Sequence, residues 1–353
     1  MSADFLPKHH TARGSEALSP PNEESERLRV ALMRMGLLGA DEHVQWTPLT
    51  GGVSSAIFLA NTSRGRLCVK RALSQLKVAA DWRAPVERNR AEVAWIRTVM
   101  GIAPNAVPRV LGHDLEGDAF AMEYLPPEQY HNWKALLLNG VVDTDVAAKI
   151  AQILAAIHRS TAHDSRLEAV FNNASNFFAL RLDPYFGEAA RRNPDCALVL
   201  QRLIDDTHAQ RIALVHGDVS PKNLMIGPHG PVFLDAECAT FGDPAFDLSF
   251  CLTHLLLKQV TLPALRTVLT TCFETMVTVY LSQVDWEPRP EIEGRIAALL
   301  PALLLARVDG KSPVEYLDET GQGLVRSFAR SHLLNSPAKL SGLVFAWKES
   351  LGS

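Results

Sequence analysis

The segment that most restricts the fold is VHGDVSPKNLMIGPHGPVFLDAEC, Val215 to Cys238. Two short apolar runs, Leu224–Ile226 and Pro231–Leu234, flank GPHG and predict a β-hairpin. With the turn centred on His229, Leu224 is expected to face Leu234, and Ile226 to face Val232. Asn223 and Asp235 then stand opposite each other at the open end, with Cα atoms about 5 Å apart. An amide and a carboxylate so placed suit a hard cation such as Mg2+, which takes oxygen ligands and keeps some waters. Asp218 lies five residues before Asn223, in a loop made irregular by Pro221. Glu237, two residues past Asp235, is expected on the same side of a continuing strand.

A single aspartate in a loop is ordinarily a solvated turn former. Here Asp235 follows a run suited to burial, and four oxygen-bearing side chains converge. Phosphoryl transfer needs that inventory: a pair of metal ligands to hold phosphates, and a carboxylate to orient a hydroxyl and take its proton.

Between Val44 and Tyr124 short β-like runs dominate, namely WTPL, AIFLAN, RLCVKRA and DAFAMEYL. One helical stretch, Pro85–Met100, interrupts them, with Val93, Ile96, Val99 and Met100 at helical spacing. Beyond Leu125 helical periodicity takes over. VVDTDVAAKIAQILAAIHRSTA puts Val146, Ile150, Ile153, Leu154 and Ile157 on one face, with Asp143 as N-cap. The expected architecture is an α+β protein of two lobes: a β-rich amino-terminal lobe at 21–125 and a mainly helical lobe at 126–353, joined near Pro126–Pro127. Residues 1–20 read as a mobile tail.

The net charge of −4 shows no basic excess, so nucleic acid is not expected as a partner. The longest apolar run, Ile296–Ala306, is short for a membrane span and is expected to break at Pro301, so no membrane partner is expected. The first residues lack the apolar core of a signal peptide. Cys68, Cys196, Cys238, Cys251 and Cys272 are scattered and never spaced as CxxC, which argues against zinc or a disulfide framework and for a reducing, cytoplasmic setting. Oligomeric state is not legible.

HGDVSPKN resembles the catalytic loop of the aminoglycoside phosphotransferase and choline kinase families, small-molecule kinases related to protein kinases. LDAECATFGDPAFDLS resembles the metal-binding segment that follows it. The chain lacks the Arg after His, the Phe-Gly after the metal Asp and the Ala-Pro-Glu of protein kinases, as small-molecule kinases do. The resemblance implies a bilobal protein-kinase-like fold, with ATP and Mg2+ as cofactors and a small-molecule hydroxyl as acceptor. It implies Asp218 as catalytic base, Asn223 and Asp235 as Mg2+ ligands, and Glu237 as a candidate further ligand. Asp247 would be a buried acid bonding the loop backbone from the start of a helix, and His216 would orient the loop. Ser220 and Lys222 are candidates to touch the γ-phosphate or the substrate.

The same resemblance makes demands upstream. A loop over the phosphates is matched by TGGVSSAIFL, where Gly51 and Gly52 let the backbone approach an anion and Ser54 and Ser55 offer donors. The phosphate-binding lysine matches Lys70 in RLCVKRAL, and the acid that holds it matches Glu92, with Glu87 as the fallback. AFAMEYLPP is similar to the kinase hinge, where Met122 would back the pocket and the Glu123 carbonyl and Leu125 amide would meet adenine.

CVKRALSQLKVAADWRAPVERNRAEV is similar to the methylthioribose kinase branch, including Trp82. LLLARVDGKSPVEYL is similar to the segment where that branch places an arginine pair near the sugar; only Arg307 matches, the preceding position being Ala306. The chain also keeps Gly242-Asp243-Pro244 where that branch has Gly-Pro-Met. Arg307 is therefore a candidate substrate contact, and the expected acceptor is sugar-like or an amino alcohol. Tyr130, Trp133 and Trp286 either stack on such a ligand or pack in the core. An aminoglycoside would want a carboxylate-rich cavity, and Asp285–Glu293 carries acids. Two other readings stay open: a degenerate nucleotide-binding regulatory module, and a metal-dependent hydrolase using Asp218, Asp235 and Glu237.

Overall fold

The computed structural model describes residues 22–49, 55–73, 88–335 and 339–352. Gly51, Gly52, Ser54, Trp82, Glu87 and the expected tail at 1–20 lie outside the described residues.

Five antiparallel strands form the amino-terminal sheet: β1 (Gln45–Pro48), β2 (Ser55–Thr62), β3 (Gly65–Ala72), β4 (Val110–Asp114) and β5 (Ala119–Glu123), in the order β1-β2-β3-β5-β4. Side chains alternate across a strand, so each strand serves two surfaces. Leu67 and Val69 of β3 pack with Phe58, Ala60 and Ala121 under Leu28 and Leu32 of helix α1 (Asn22–Arg34). The intervening Cys68, with Phe120 and Met122 of β5, faces the other way, toward Val93 and Ile96 of helix α2 (Arg88–Met100). Lys70 shares the face of Cys68, so the pleat alone aims it at α2 and the cleft below.

The remaining chain is mainly helical. The helix Thr144–Thr161 is capped by Asp143, whose carboxylate accepts from the Asp145 N–H at 2.8 Å. Ile150, Leu154 and Ile157 are buried, and this helix lies against Arg266–Ser282. The apolar run Ile296–Ala306 does not break at Pro301. It lies within one helix, Arg289–Asp309, buried on nearly every side from Ile296 onward against the helices Pro244–Thr261 and Glu319–Leu334. Neighbours on all faces hold a helix through a proline that would kink an exposed one. No helix among the described residues is long and apolar enough to cross a membrane. The five cysteines are buried and free. Trp133 is a core residue, and Trp286 packs edge-on against His158 and Tyr280, with ring centroids 6.3 and 6.0 Å away.

The hairpin is present, but its register differs by one residue from the expectation. Leu224 pairs with Phe233, Met225 with Val232, Ile226 with Pro231 and Gly227 with Gly230. The turn is the two-residue loop Pro228-His229, closed by glycines. Gly230 holds φ at +114°, and a side chain on Gly227 would run into the Tyr130 ring. Asn223 consequently stands opposite Leu234, whose N–H donates to the Asn223 carbonyl at 2.9 Å, and not opposite Asp235.

Candidate active site

Strand pairing ends at Phe233, and Asp235 takes a left-handed φ of +68°. That turn out of the strand brings its carboxylate to Lys70. The Lys70 ammonium, buried in β3, donates to Glu92 of α2 at 2.7 Å and also to Asp235. Burial works against this ammonium, but Asp235 and Glu92 outweigh it and hold its pKa above the usual lysine range. Asp235 is held well below the usual carboxylate range, since Lys70 and then Lys222 outweigh the cost of its burial. Burial pushes Glu92 up by more than Lys70 brings it down.

Glu237 lies near enough to Lys70 to help hold its ammonium charged, after Asp235 and Glu92. The chain turns at 237–238, and the Glu237 carboxylate accepts from Nε of the buried Arg88 at 3.1 Å. The strand ends at Phe233, so Asp235 and Glu237 are not on the continuing strand that was expected. Among the described residues no three His, Cys, Asp or Glu side chains converge as a metal-binding group.

The catalytic-loop candidate His216–Asn223 is fixed from three directions. The fully buried Asp247, in the first turn of Pro244–Thr261, accepts from the His216 N–H at 2.7 Å and the Gly217 N–H at 2.8 Å. His216 Nδ1 accepts from the Asp218 N–H at 3.1 Å, which leaves Nε2 to donate to the Leu234 carbonyl at 3.1 Å. Burial lowers the His216 pKa, so this neutral tautomer orients the loop. Gly217 sits at φ +78°, and a Cβ there would lie 2.9 Å from the Cys238 carbonyl oxygen. Gly217→Ala is therefore expected to cost about 1–3 kcal/mol of stability and to displace the loop, read as a lower urea midpoint and reduced turnover.

Asp218 is buried beside Arg181, a residue the sequence reading missed. The Arg181 guanidinium reaches Asp218 Oδ2 at 2.7 Å, and its Nε donates to the Gly217 carbonyl at 2.7 Å. Lys222, half exposed, approaches the same Oδ2 at 3.3 Å. Burial raises the Asp218 pKa, but Arg181 and then Lys222 bring it below the usual range. Among the described residues the other oxygen, Oδ1, is buried without a hydrogen-bond partner, as is Ser220 Oγ. Asn223 Nδ2 donates to the Asp218 carbonyl at 3.1 Å. A lone arginine between Leu180 and Leu182, in the π-helical run Phe178–Gly187, is the only sequence sign of this partner.

A cavity of about 390 Å³ lies between the sheet and the hairpin. Leu49, Ile57, Cys68, Met122, Met225 and Leu234 give it apolar walls; Glu123 and Leu125 line one edge, and Lys70, Glu92, Asn223 and Asp235 line its polar part. Ser55, at the start of β2, is buried, and its hydroxyl has no partner among the described residues. Arg307 lies apart from this cavity: it is buried against Tyr185, whose hydroxyl accepts from Nη1 at 3.3 Å.

A β-sheet lobe over a helical lobe, a buried Lys–Glu pair above, and an aspartate loop with a second aspartate below define a phosphotransferase of the protein-kinase-like class. The sequence itself matches the phosphotransferase enzyme family over residues 45–271, and the chain belongs to that family. The methylthioribose kinase of Pectobacterium carotovorum subsp. carotovorum (strain PC1) is 27% identical over 234 residues, 58% of this chain and 57% of that one. The methylthioribose kinase of Yersinia pseudotuberculosis serotype O:1b (strain IP 31758) is 24% identical over 291 residues, 74% of this chain and 68% of that one. The first of these matches thus spans little more than half of the relative's length. LicA in complex with AMP superposes with a TM-score of 0.53 at 19% identity, covering 88% of this chain and 98% of that one. The amicoumacin kinase hAmiN, in complex with AMP-PNP, Ca2+ and Ami, gives 0.52 at 12% identity, covering 91% and 96%. These two share the fold.

Proposed function

We propose that the protein is an ATP-dependent kinase that phosphorylates a hydroxyl of a small, sugar-like molecule. The observation that carries this reading is the Lys70 ammonium held between Glu92 and Asp235 in a cleft with apolar walls, next to an aspartate with one free oxygen. Relatives called methylthioribose kinase support the sugar-like acceptor.

The apolar walls suit an adenine, whose edge would meet the Glu123 carbonyl and Leu125 amide beside Met122. Lys70 would neutralise phosphate charge, and the loop carrying Gly51, Gly52, Ser54 and Ser55 would cover the phosphates. The donor set also fits Mg2+. The Asn223 amide nitrogen is engaged by the Asp218 carbonyl, which leaves its oxygen to the cleft, and Asp235 adds a carboxylate. When bound, the metal would neutralise charge on the phosphates. Glu237, which accepts from Arg88 and lies near Lys70, is the candidate further ligand.

Asp218 takes the role of base. Oδ2 is occupied by Arg181 and Lys222, so Oδ1 is the atom left to accept the hydroxyl's hydrogen bond and then its proton. The depressed pKa keeps the carboxylate ionised at neutral pH, ready to accept. Catalysis rests on placement and electrostatics, as phosphoryl transfer requires. Lys222, half exposed on the open side of the site, would stabilise charge on the phosphoryl group as it passes to the hydroxyl.

Lys70→Ala is expected to abolish the thermal shift that Mg-ATP gives the wild type. A screen of ATP consumption against sugars, sugar derivatives and amino alcohols should return an acceptor. An undiminished Mg-ATP shift in Lys70→Ala would remove the nucleotide reading.

A further inference from the structure

Lys258 lies in the helix Pro244–Thr261, fully buried, and its ammonium has no hydrogen-bond acceptor among the described residues. Its recorded neighbour is the Tyr316 ring, with the centroid 5.0 Å away. The Lys134 ammonium lies 5.9 Å from the same ring and pairs with Glu315. Asn132, which caps the Lys134 helix, donates to the Lys222 carbonyl at 2.7 Å, so Lys134 and Lys222 sit on one rim. On the far side Arg307 and Arg181 both lie over the Tyr185 ring, each 5.7 Å from its centroid, and Arg181 holds Asp218. His254, one turn before Lys258, stands amid the group: burial, and then Arg307, Lys258, Lys222 and Lys134, depress its pKa.

Five cations thus gather about His254 and the Tyr185 and Tyr316 rings, two of them, Arg181 and Lys222, on Asp218, and among the described residues their ion-pair partners are Asp218 and Glu315. Arg307 Nε, Ser220 Oγ and the Tyr316 hydroxyl are likewise buried without partners. An ammonium buried without a counter-charge costs several kcal/mol, and donors left unpaired add to it. A ligand that brings negative charge and acceptor oxygens offsets both. Two acids of the segment Asp285–Glu293 are engaged elsewhere: Asp285 pairs with Arg159 at 3.0 Å and Glu287 with Arg295 at 2.7 Å.

We propose that Lys258, Arg307, Lys134 and Lys222 form an acceptor subsite for an anionic group, a carboxylate or a phosphate monoester, carried by the hydroxyl-bearing substrate. The assignment rests on the kinase reading for its acceptor and narrows the substrate to acidic polyols. A polycation or a quaternary ammonium would meet like charge there.

The test is isothermal titration of the full chain, saturated with Mg-ADP, against gluconate, ribose 5-phosphate, ribose and kanamycin. At least one of the two anions is expected to bind 10-fold or more tightly than ribose or kanamycin; the better of the two identifies carboxylate or phosphate. Lys258→Met and Arg307→Met should each weaken that anion about 10-fold or more and leave Mg-ADP affinity unchanged. Equal or tighter binding of ribose or kanamycin, anion affinity that survives both substitutions, or no anion binding at all would overturn the proposal. Anion binding with no ADP released from Mg-ATP by any acceptor would count against the kinase reading and uphold the subsite.

Folding provides a separate readout. Burial, and then Lys134, lower the Lys258 pKa to about 7, with Arg307 acting the same way and Cys251 and Glu315 opposing. The unfolded chain keeps that proton up to about pH 10.4, so the charge-burial cost is full below about pH 7 and fades toward pH 10. Lys258→Met should therefore raise the melting temperature, most at pH 6 and least near pH 10. A lower melting temperature at pH 6 would show a structural lysine and overturn the assignment.

Discussion

Asp218→Asn is expected to lower turnover by about 10³-fold or more, while Mg-ATP still shifts the melting temperature as in the wild type. The substitution keeps the shape of the side chain but removes the group that takes the hydroxyl's proton, a contribution of about 10²–10⁴ in enzymes that depend on it. It also removes the negative charge that faces Arg181 and Lys222, so a hydroxyl would be drawn toward donors instead of an acceptor. A loss of 10³ corresponds to about 4 kcal/mol of barrier. Nucleotide contacts assigned to Lys70, Asn223 and Asp235 are untouched, so binding and chemistry should separate. Steady-state turnover within 10-fold of wild type would take the role of base away from Asp218.

Asp247→Ala is expected to be the most destabilising single change in the site, at about 3–5 kcal/mol. Its carboxylate satisfies two backbone N–H groups of the catalytic-loop candidate, His216 and Gly217, in a fully buried setting. Hydrogen bonds to a charged partner contribute about 1.5–3 kcal/mol each, and donors left unpaired in the interior carry their own penalty. His158, 3.4 Å away at Nε2 and bonded through Nδ1 to the Tyr280 hydroxyl at 2.7 Å, would lose its partner as well. Turnover should fall with stability, because the same N–H groups set where Asp218 points. Urea unfolding of Asp247→Ala and Asp247→Asn checks this: the amide can accept but not as an anion, so it should fall between alanine and wild type. An unchanged midpoint for alanine would show that the loop is held by other contacts.

Much of the frame was legible because it follows from local periodicities. Alternation in RLCVKRA put Lys70 on the face opposite Leu67 and Val69, and helical spacing after Pro85 put Glu92 beside buried Val93 and Ile96; the structure brings the two together at 2.7 Å. Asp143 as a cap was readable from its place at a helix start, whereas Asp247 as the loop's buried anchor was implied by the family resemblance. The hairpin register was not. GPHG admits a turn centred on His229 or a two-residue Pro-His loop, and only the packing of Tyr130 over Gly227 and the backbone of Gly230 decide between them. Nor was the end of the strand legible, since pairing that stops at Phe233 does not extend to residues 235–237. Arg181 and Arg88 were invisible for a different reason. Their partners, Asp218 and Glu237, are 37 and 149 residues away in sequence, and no motif marks either arginine. Lys258 reads in sequence as the polar end of LLLK; only the fold shows it fully buried, with the Tyr316 ring beside its ammonium.

Lys70 is rooted in the upper sheet, yet one of its two carboxylates comes from the hairpin of the lower lobe. A single ammonium therefore belongs to both halves of the molecule. Any polyanion entering between them must compete with Asp235 for it, so filling the cleft would alter the tie between the two lobes. Because the pair is shielded from solvent, ionic strength should do little to loosen this latch; the incoming phosphate is its key.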